Sequence, residues 1–165
     1  MAKLILLAGV SRSGKSTLAT KLVHDLPNAI VLHQDEFILD QSALPLIKGR
    51  IDWENPETID WDRLVSAHDE ANEQYDFIII EGIFALSSLR LIKASAFKIL
   101  LTLDREEFIK RRSQETRWGD EPDWFIHHVW ESHLACHNPH NLNLDFELRN
   151  ASPTEYVKLL IQLKS

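Results

Sequence analysis

Cysteine is almost absent from this 165-residue chain. Cys136 stands alone, which excludes an internal disulfide and fits a reducing compartment. Long apolar runs are missing too. Leu4 to Ala8 is too short for the core of an export signal and Phe77 to Ile80 is shorter still, so neither crosses a bilayer. The expectation is a cytoplasmic chain with no membrane partner. There are no repeats, low-complexity tracts or Pro/Gly/Ser linkers, which leaves a single domain over 1–165. Positive net charge is also lacking: 18 Lys and Arg against 25 Asp and Glu give −7. That balance suits no nucleic acid partner, although a local basic site still suits a small phosphate. What is present is a hydrophobic share of 44% and a charged share of 26%, the proportions of a folded domain. Five Trp stand against one Met. Trp is large and flat with one polar handle, so some of the five suit a ligand face as well as a core.

Short apolar runs alternate with stretches of helical period, the pattern of an α/β fold whose parallel sheet is buried on both faces. Strands are expected at Lys3 to Ala8, Ala29 to His33, Phe77 to Ile80, Phe97 to Leu103 and Leu144 to Leu148. Helices are expected over Lys15 to Asp25, over Asp60 to Glu73, over Arg105 to Glu115 capped by Asp104, from Pro122 to about Ala135, and from Ser152-Pro153 to near Lys164. Asp40 to Asn55 and Arg117 to Asp123 read as loops. Loops after the strands of such a sheet are where ligands bind.

Gly9-Val10-Ser11-Arg12-Ser13-Gly14-Lys15-Ser16 matches G-x-x-x-x-G-K-[ST], with an apolar strand before it and a helix pattern after it. The glycines let the backbone curl so that successive N–H groups face phosphate oxygens, and the helix N-terminus adds its positive end. Lys15 would reach the β- and γ-phosphates and Ser16 the Mg²⁺; Ser11, Ser13 and Thr17 complete the cradle. The fold expected is therefore a P-loop NTPase-type three-layer sandwich with a five-stranded parallel sheet and a small helical lid over about 111–124. Glu81 ends the third strand, where a P-loop protein needs a carboxylate to organise the metal; a cap on a neighbouring amide is the other reading. No N-K-x-D tetrapeptide follows. That favours ATP over GTP as donor.

Asp35 and Glu36 close the second strand. A carboxylate beside the γ-phosphate can take the proton of an attacking hydroxyl, and the alternative is a solvated acidic turn. At a strand end the two acids point opposite ways, so they do not share one role. Arg105, Lys110, Arg111, Arg112 and Arg117 concentrate positive charge in an acidic chain, which suits a lid closing over a triphosphate. His133 and His137 stand four apart with Cys136 between them, a spacing that can hold zinc but lacks partners at a usual distance.

Gly9 to Thr17, His33 to Phe37, Ile80-Glu81-Gly82, Arg111-Arg112-Ser113 and His128-Val129-Trp130 occur in an order and spacing that resembles the uridine kinase-like nucleoside kinases. Among these the chain is most similar to the nicotinamide riboside kinases, from the first strand to about Leu134. The resemblance implies that Asp35 is the catalytic base toward a ribose 5′-hydroxyl, with Ser16 and Glu81 on magnesium. It implies Arg111 on the nucleotide side, and Arg112 with Glu54 on the ribose. It places Trp53 and Trp118 around the base, with Phe37 and Asp120 also in the substrate set. A cationic pyridinium would suit that aromatic, acidic pocket, which a neutral uracil would not need. Glu54 replaces the family's shorter Asp, and the extra methylene is expected to move the carboxylate outward. Trp61, Trp124 and Trp130 are expected in packing. The implied activity is ATP-dependent phosphorylation of a ribonucleoside by a monomer or homodimer. The alternatives are a uridine or cytidine kinase, a kinase of another small alcohol, and a nucleotide-binding regulator without turnover.

Overall fold

The computed structural model describes residues 1–114, 119, 121–149 and 152–165. β1 (Lys3–Gly9) leads through a tight loop into α1 (Lys15–Asp25), and β2 (Ala29–His33) ends in a 3-10 turn, Gln34–Glu36. A small hairpin of β3 (Leu46–Ile47) and β4 (Arg50–Ile51) precedes α2 (Trp61–Ala71). Then come β5 (Phe77–Glu81), α3 (Leu89–Ala94), β6 (Ser95–Thr102), α4 (Arg105–Ser113), α5 (Asp123–Cys136), β7 (Phe146–Arg149) and α6 (Pro153–Lys164).

The main sheet is parallel throughout, in the order β2-β5-β1-β6-β7. Its strands read as unbroken apolar runs because both faces are covered. Leu4, Leu6, Ala8, Ile78, Ile80 and Leu100 point to one side and meet Leu64 and Val65 of α2 and Leu91 of α3. The alternate residues Ile5, Leu7, Ile79, Ile99 and Leu101 point to the other and meet Leu18 and Leu22 of α1 and Leu159 and Leu163 of α6. The expected three layers and five strands are present. A third cluster, Val10, Leu103, Phe108, Phe125, Val129 and Trp130, fastens α4 and α5 to the sheet end beside the β1–α1 loop.

Topology then decides where chemistry can happen. β5 lies between β1 and β2, so the chain leaves β1 on one side and returns on the other, opening a crevice at the strand C-termini. Register brings Leu7, Glu81 and His33 level across three neighbouring strands.

Three expectations need correction. The stretch expected as a loop from Asp40 to Asn55 holds the β3–β4 hairpin, whose turn residues Lys48 and Gly49 have φ of 47° and 79°. Both values are positive, as in a type I′ turn. β6 begins at Ser95, earlier than expected, because α3 delivers the chain directly to it. Asp104 precedes α4 but makes no side-chain cap; its carboxylate is paired with Arg149 of β7 instead. The caps of α2 and α6 do form, through Asp60 to the Arg63 amide and through the reciprocal Ser152–Glu155 box. No helix among the described residues is long and apolar enough to cross a membrane.

Candidate active site

The loop after β1 curls as its sequence demands. Gly14 holds φ at 93° immediately before α1, a value that a side chain would oppose. Lys15 follows, buried at 9% exposure, with its ammonium folded back to donate to the Val10 carbonyl at 3.2 Å. Burial pushes the Lys15 pKa down, while Glu81, Asp35 and Glu54 pull it back up. Those three carboxylates come from β5, from the turn after β2 and from the turn after β4. One buried cation thus shares its field with acids delivered by three separate segments.

Glu81 is held by side-chain contacts from two neighbouring elements. Its Oε1 accepts from Ser16 Oγ at 3.0 Å and contacts His33 Nδ1 at 2.7 Å, so strand register, helix start and neighbouring strand all converge on one oxygen. Asp35 lies in the 3-10 turn rather than on the strand. Desolvation and then Glu81 raise its pKa, against the lowering pull of Lys15 and His33. The Glu36 carbonyl accepts from Arg63 of α2, and the Glu36 carboxylate adds a smaller push to the raised pKa of Asp35.

Beyond Asp35 lies the turn after β4. The Asp52 carboxylate accepts from the Glu54 amide at 3.2 Å, while Asn55 N closes the turn on the Asp52 carbonyl at 3.3 Å. This Asx-type turn carries Trp53 outward at 41% exposure and Glu54 inward at 6%. The expected outward shift of the Glu54 carboxylate is therefore wrong. The turn aims the longer side chain into the protein, where burial raises its pKa to about 7 against the pull of Arg112, His128 and Lys15.

Arg112, near the C-terminal end of α4, is held from two sides. Glu121 takes its guanidinium in a two-pronged pair at 2.7 and 2.8 Å, and the remaining arm donates to Ser11 Oγ at 2.9 Å. Both partners of the ion pair are about nine-tenths buried at the side chain. Arg111 pairs with Glu107 and donates to the Arg12 carbonyl at 3.0 Å. The lid arginines thus already touch the loop that the sequence assigned to phosphate. Phe37 is buried in the core with the Arg63 guanidinium 5.1 Å from its ring. Thr17 lies exposed in the first turn of α1. Trp118, Asp120 and Arg117 lie outside the described residues. Trp130 packs on Phe108 at 5.2 Å and Trp61 donates to the Pro56 carbonyl at 3.1 Å, both in packing roles. Trp124 lies under Lys48 of the hairpin.

Sequence reasoning missed four contributors: Glu121 on Arg112, His33 on Glu81, and the Asp52–His128 pair, whose rings and carboxylates meet across 76 residues with no local signal. His133 of α5 is also in range of Lys15. Burial first, then His137 and Lys15, lower its pKa to about 4, so it is neutral near pH 7.

The donor set fits a magnesium-bound nucleotide. Ser13 Oγ is buried with no partner among the described residues, a hydroxyl suited to an oxygen from outside the protein. The Lys15 ammonium donates to a carbonyl where a phosphate oxygen would serve its charge better. Ser16 and Glu81 offer hard oxygens, and Mg²⁺ takes few protein ligands beside phosphate and water. Among the described residues no group of three His, Cys, Asp or Glu could hold a metal by itself, which leaves the His133–His137 pair without a third ligand for zinc. An open cavity of about 790 Å³ lies elsewhere, at the opposite ends of the strands around Lys3, Asp25 and Phe77. Sheets of this kind do not bind their ligands there.

No family model matches the chain. It is 30% identical over 145 residues to nicotinamide riboside kinase 1 of Homo sapiens, covering 78% of this chain and 73% of that one. It is 25% identical over 137 residues to a uridine kinase of Ureaplasma urealyticum, covering 66% of each. Among solved structures, that of a possible uridine kinase from Bacillus stearothermophilus superposes with a TM-score of 0.58 at 19% identity, over 89% of this chain and 88% of the other.

Proposed function

The chain belongs to the nicotinamide riboside kinase family, and from that premise we propose that it is an ATP-dependent kinase acting on the 5′-hydroxyl of nicotinamide riboside. The observation that carries this reading is the buried ammonium of Lys15 in the common field of Asp35, Glu81 and Glu54. Donor and acceptor sides then share one charge, as transfer between two bound oxygens requires.

The β1–α1 loop cradles the triphosphate with its amides and with Ser11, Ser13 and Thr17, and Lys15 neutralises the outer phosphates. Ser16 and Glu81 would hold Mg²⁺, which when bound spreads the negative charge of the phosphates. Arg111 closes on the donor. Asp35 accepts the proton of the attacking hydroxyl, and its raised pKa brings it nearer the pH at which a carboxylate is an effective base. Arg112 and Glu54 hold the ribose hydroxyls. Trp53, exposed on its turn, offers an indole face to the base, and the family resemblance assigns Trp118 and Asp120 to the same substrate set. A pyridinium cation gains from an indole face and from nearby carboxylates, whereas uracil carries no charge to reward either.

The likeness to a uridine kinase keeps a pyrimidine nucleoside as the second reading. Incubation with MgATP and equal amounts of nicotinamide riboside, uridine, cytidine and adenosine, with products identified by mass, separates the two. The expected product is nicotinamide mononucleotide. A pyrimidine monophosphate would move the assignment to the second reading, and nucleotide binding without any product would leave a regulator.

A further inference from the structure

The hairpin before the acceptor turn is docked on α5 by every second residue. The Lys48 ammonium lies 4.5 Å from the Trp124 ring, the Arg50 guanidinium 5.2 Å from the Phe125 ring, and Asp52 Oδ1 2.8 Å from His128 Nε2. The first two contacts are cation–π interactions that tolerate sliding. The third is directional. A carboxylate only accepts, so His128 Nε2 carries the proton, while Nδ1 faces Ser132 Oγ at 3.5 Å. Both members are largely buried, with side-chain exposures of 23% and 16%.

The same Asp52 oxygen that takes His128 also takes the Glu54 amide. A free Asp side chain rotates among staggered positions, and only one of them lets its oxygen reach the amide two residues on. His128 selects that position from α5. With it go the directions of the two side chains that the turn presents, Trp53 outward and Glu54 inward.

We propose that His128 is a positioning residue for the nucleoside: through Asp52 it sets the turn that carries Trp53 and Glu54, so that this contact from α5 tunes acceptor recognition. This rests on the reading of that turn as the acceptor pocket. The geometry separates the two sides, because Lys15, Ser16 and Glu81 are tied by other bonds.

The test is steady-state kinetics on the full chain, varying nucleoside and ATP separately. His128→Ala is expected to raise KM for the nucleoside about tenfold, with KM for ATP within about twofold and kcat within about threefold of wild type. His128→Gln, whose amide can donate to Asp52, is expected to recover most of the loss. Asp52→Ala is expected to match His128→Ala, and the double variant to be no worse than Asp52→Ala alone. If His128→Ala does not fold, Asp52→Ala and His128→Gln carry the comparison. An unchanged nucleoside KM, an equal rise in both KM values, a Gln variant as poor as the Ala one, or additive losses would each overturn the proposal. Wild-type enzyme that favours a different nucleoside overturns the choice of nicotinamide riboside alone, and the variants are then compared on the favoured acceptor. Wild type that phosphorylates no nucleoside overturns both.

Discussion

Glu54 shows how one residue can work against the fold that holds it. Its pKa rises from 4.5 to about 7 on burial, so the folded chain binds a proton that the unfolded chain has released between those values. The stability from that proton is fully present below about pH 4.5 and is lost as pH climbs to about 7, a difference of about 3 kcal/mol. Glu54→Gln stays neutral throughout. Its melting temperature relative to wild type is expected to rise by about 5 °C or more between pH 5 and pH 8, and a constant difference across that range would contradict the burial account. A carboxylate kept at such expense in a pocket suits a cationic ligand. Asp35 is the complementary case, the group proposed as the base. Asp35→Asn is expected to lower kcat by at least about a hundredfold while calorimetry finds ATP affinity nearly unchanged; turnover close to wild type would remove its role as base. Asp35, Lys15 and Ser16 were legible in the sequence because their chemistry is written in short spacings. Glu121 and His128 were not, since each acts through a partner brought near only by folding.

Among the elements, α4 and α5 carry the lid side of the site on a small separate core. Phe108 is fully buried there against Trp130, between Val10 of the phosphate loop and Val129 of α5. Phe108→Ala is expected to destabilise the chain by about 3–5 kcal/mol, read from denaturant unfolding. A loss below about 1 kcal/mol would mean that α4 is not anchored by this cluster. The elements themselves divide by how local their cause is. β1, α1 and β2 match the expected spans almost residue for residue, because an apolar run, a glycine loop and a helical stripe are all local signals. The β3–β4 hairpin escaped notice since its turn pairs Lys48, not the usual Asn or Asp, with Gly49, and its strands are two residues each. α3 is six residues long and capped only by Ser88, too short to show a period.

At the scale of the whole molecule the acidic charge of −7 resolves into two regions. Lys15, Arg111 and Arg112 gather at the β1–α1 loop, and Asp35, Asp52 and Glu54 belong to the proposed acceptor side. The parallel sheet makes that division possible by bringing the ends of β1, β2 and β5 together at the crevice. Sequence alone indicated the layers and the five strands, but not that the acceptor turn is braced by α5. The central claim is that this divided site selects a cationic nucleoside. Its most direct test is the ratio of kcat/KM for nicotinamide riboside to that for uridine, measured with MgATP under one set of conditions. The account predicts a ratio above about 10, equivalent to at least about 1.4 kcal/mol of transition-state preference. A ratio at or below one would contradict it.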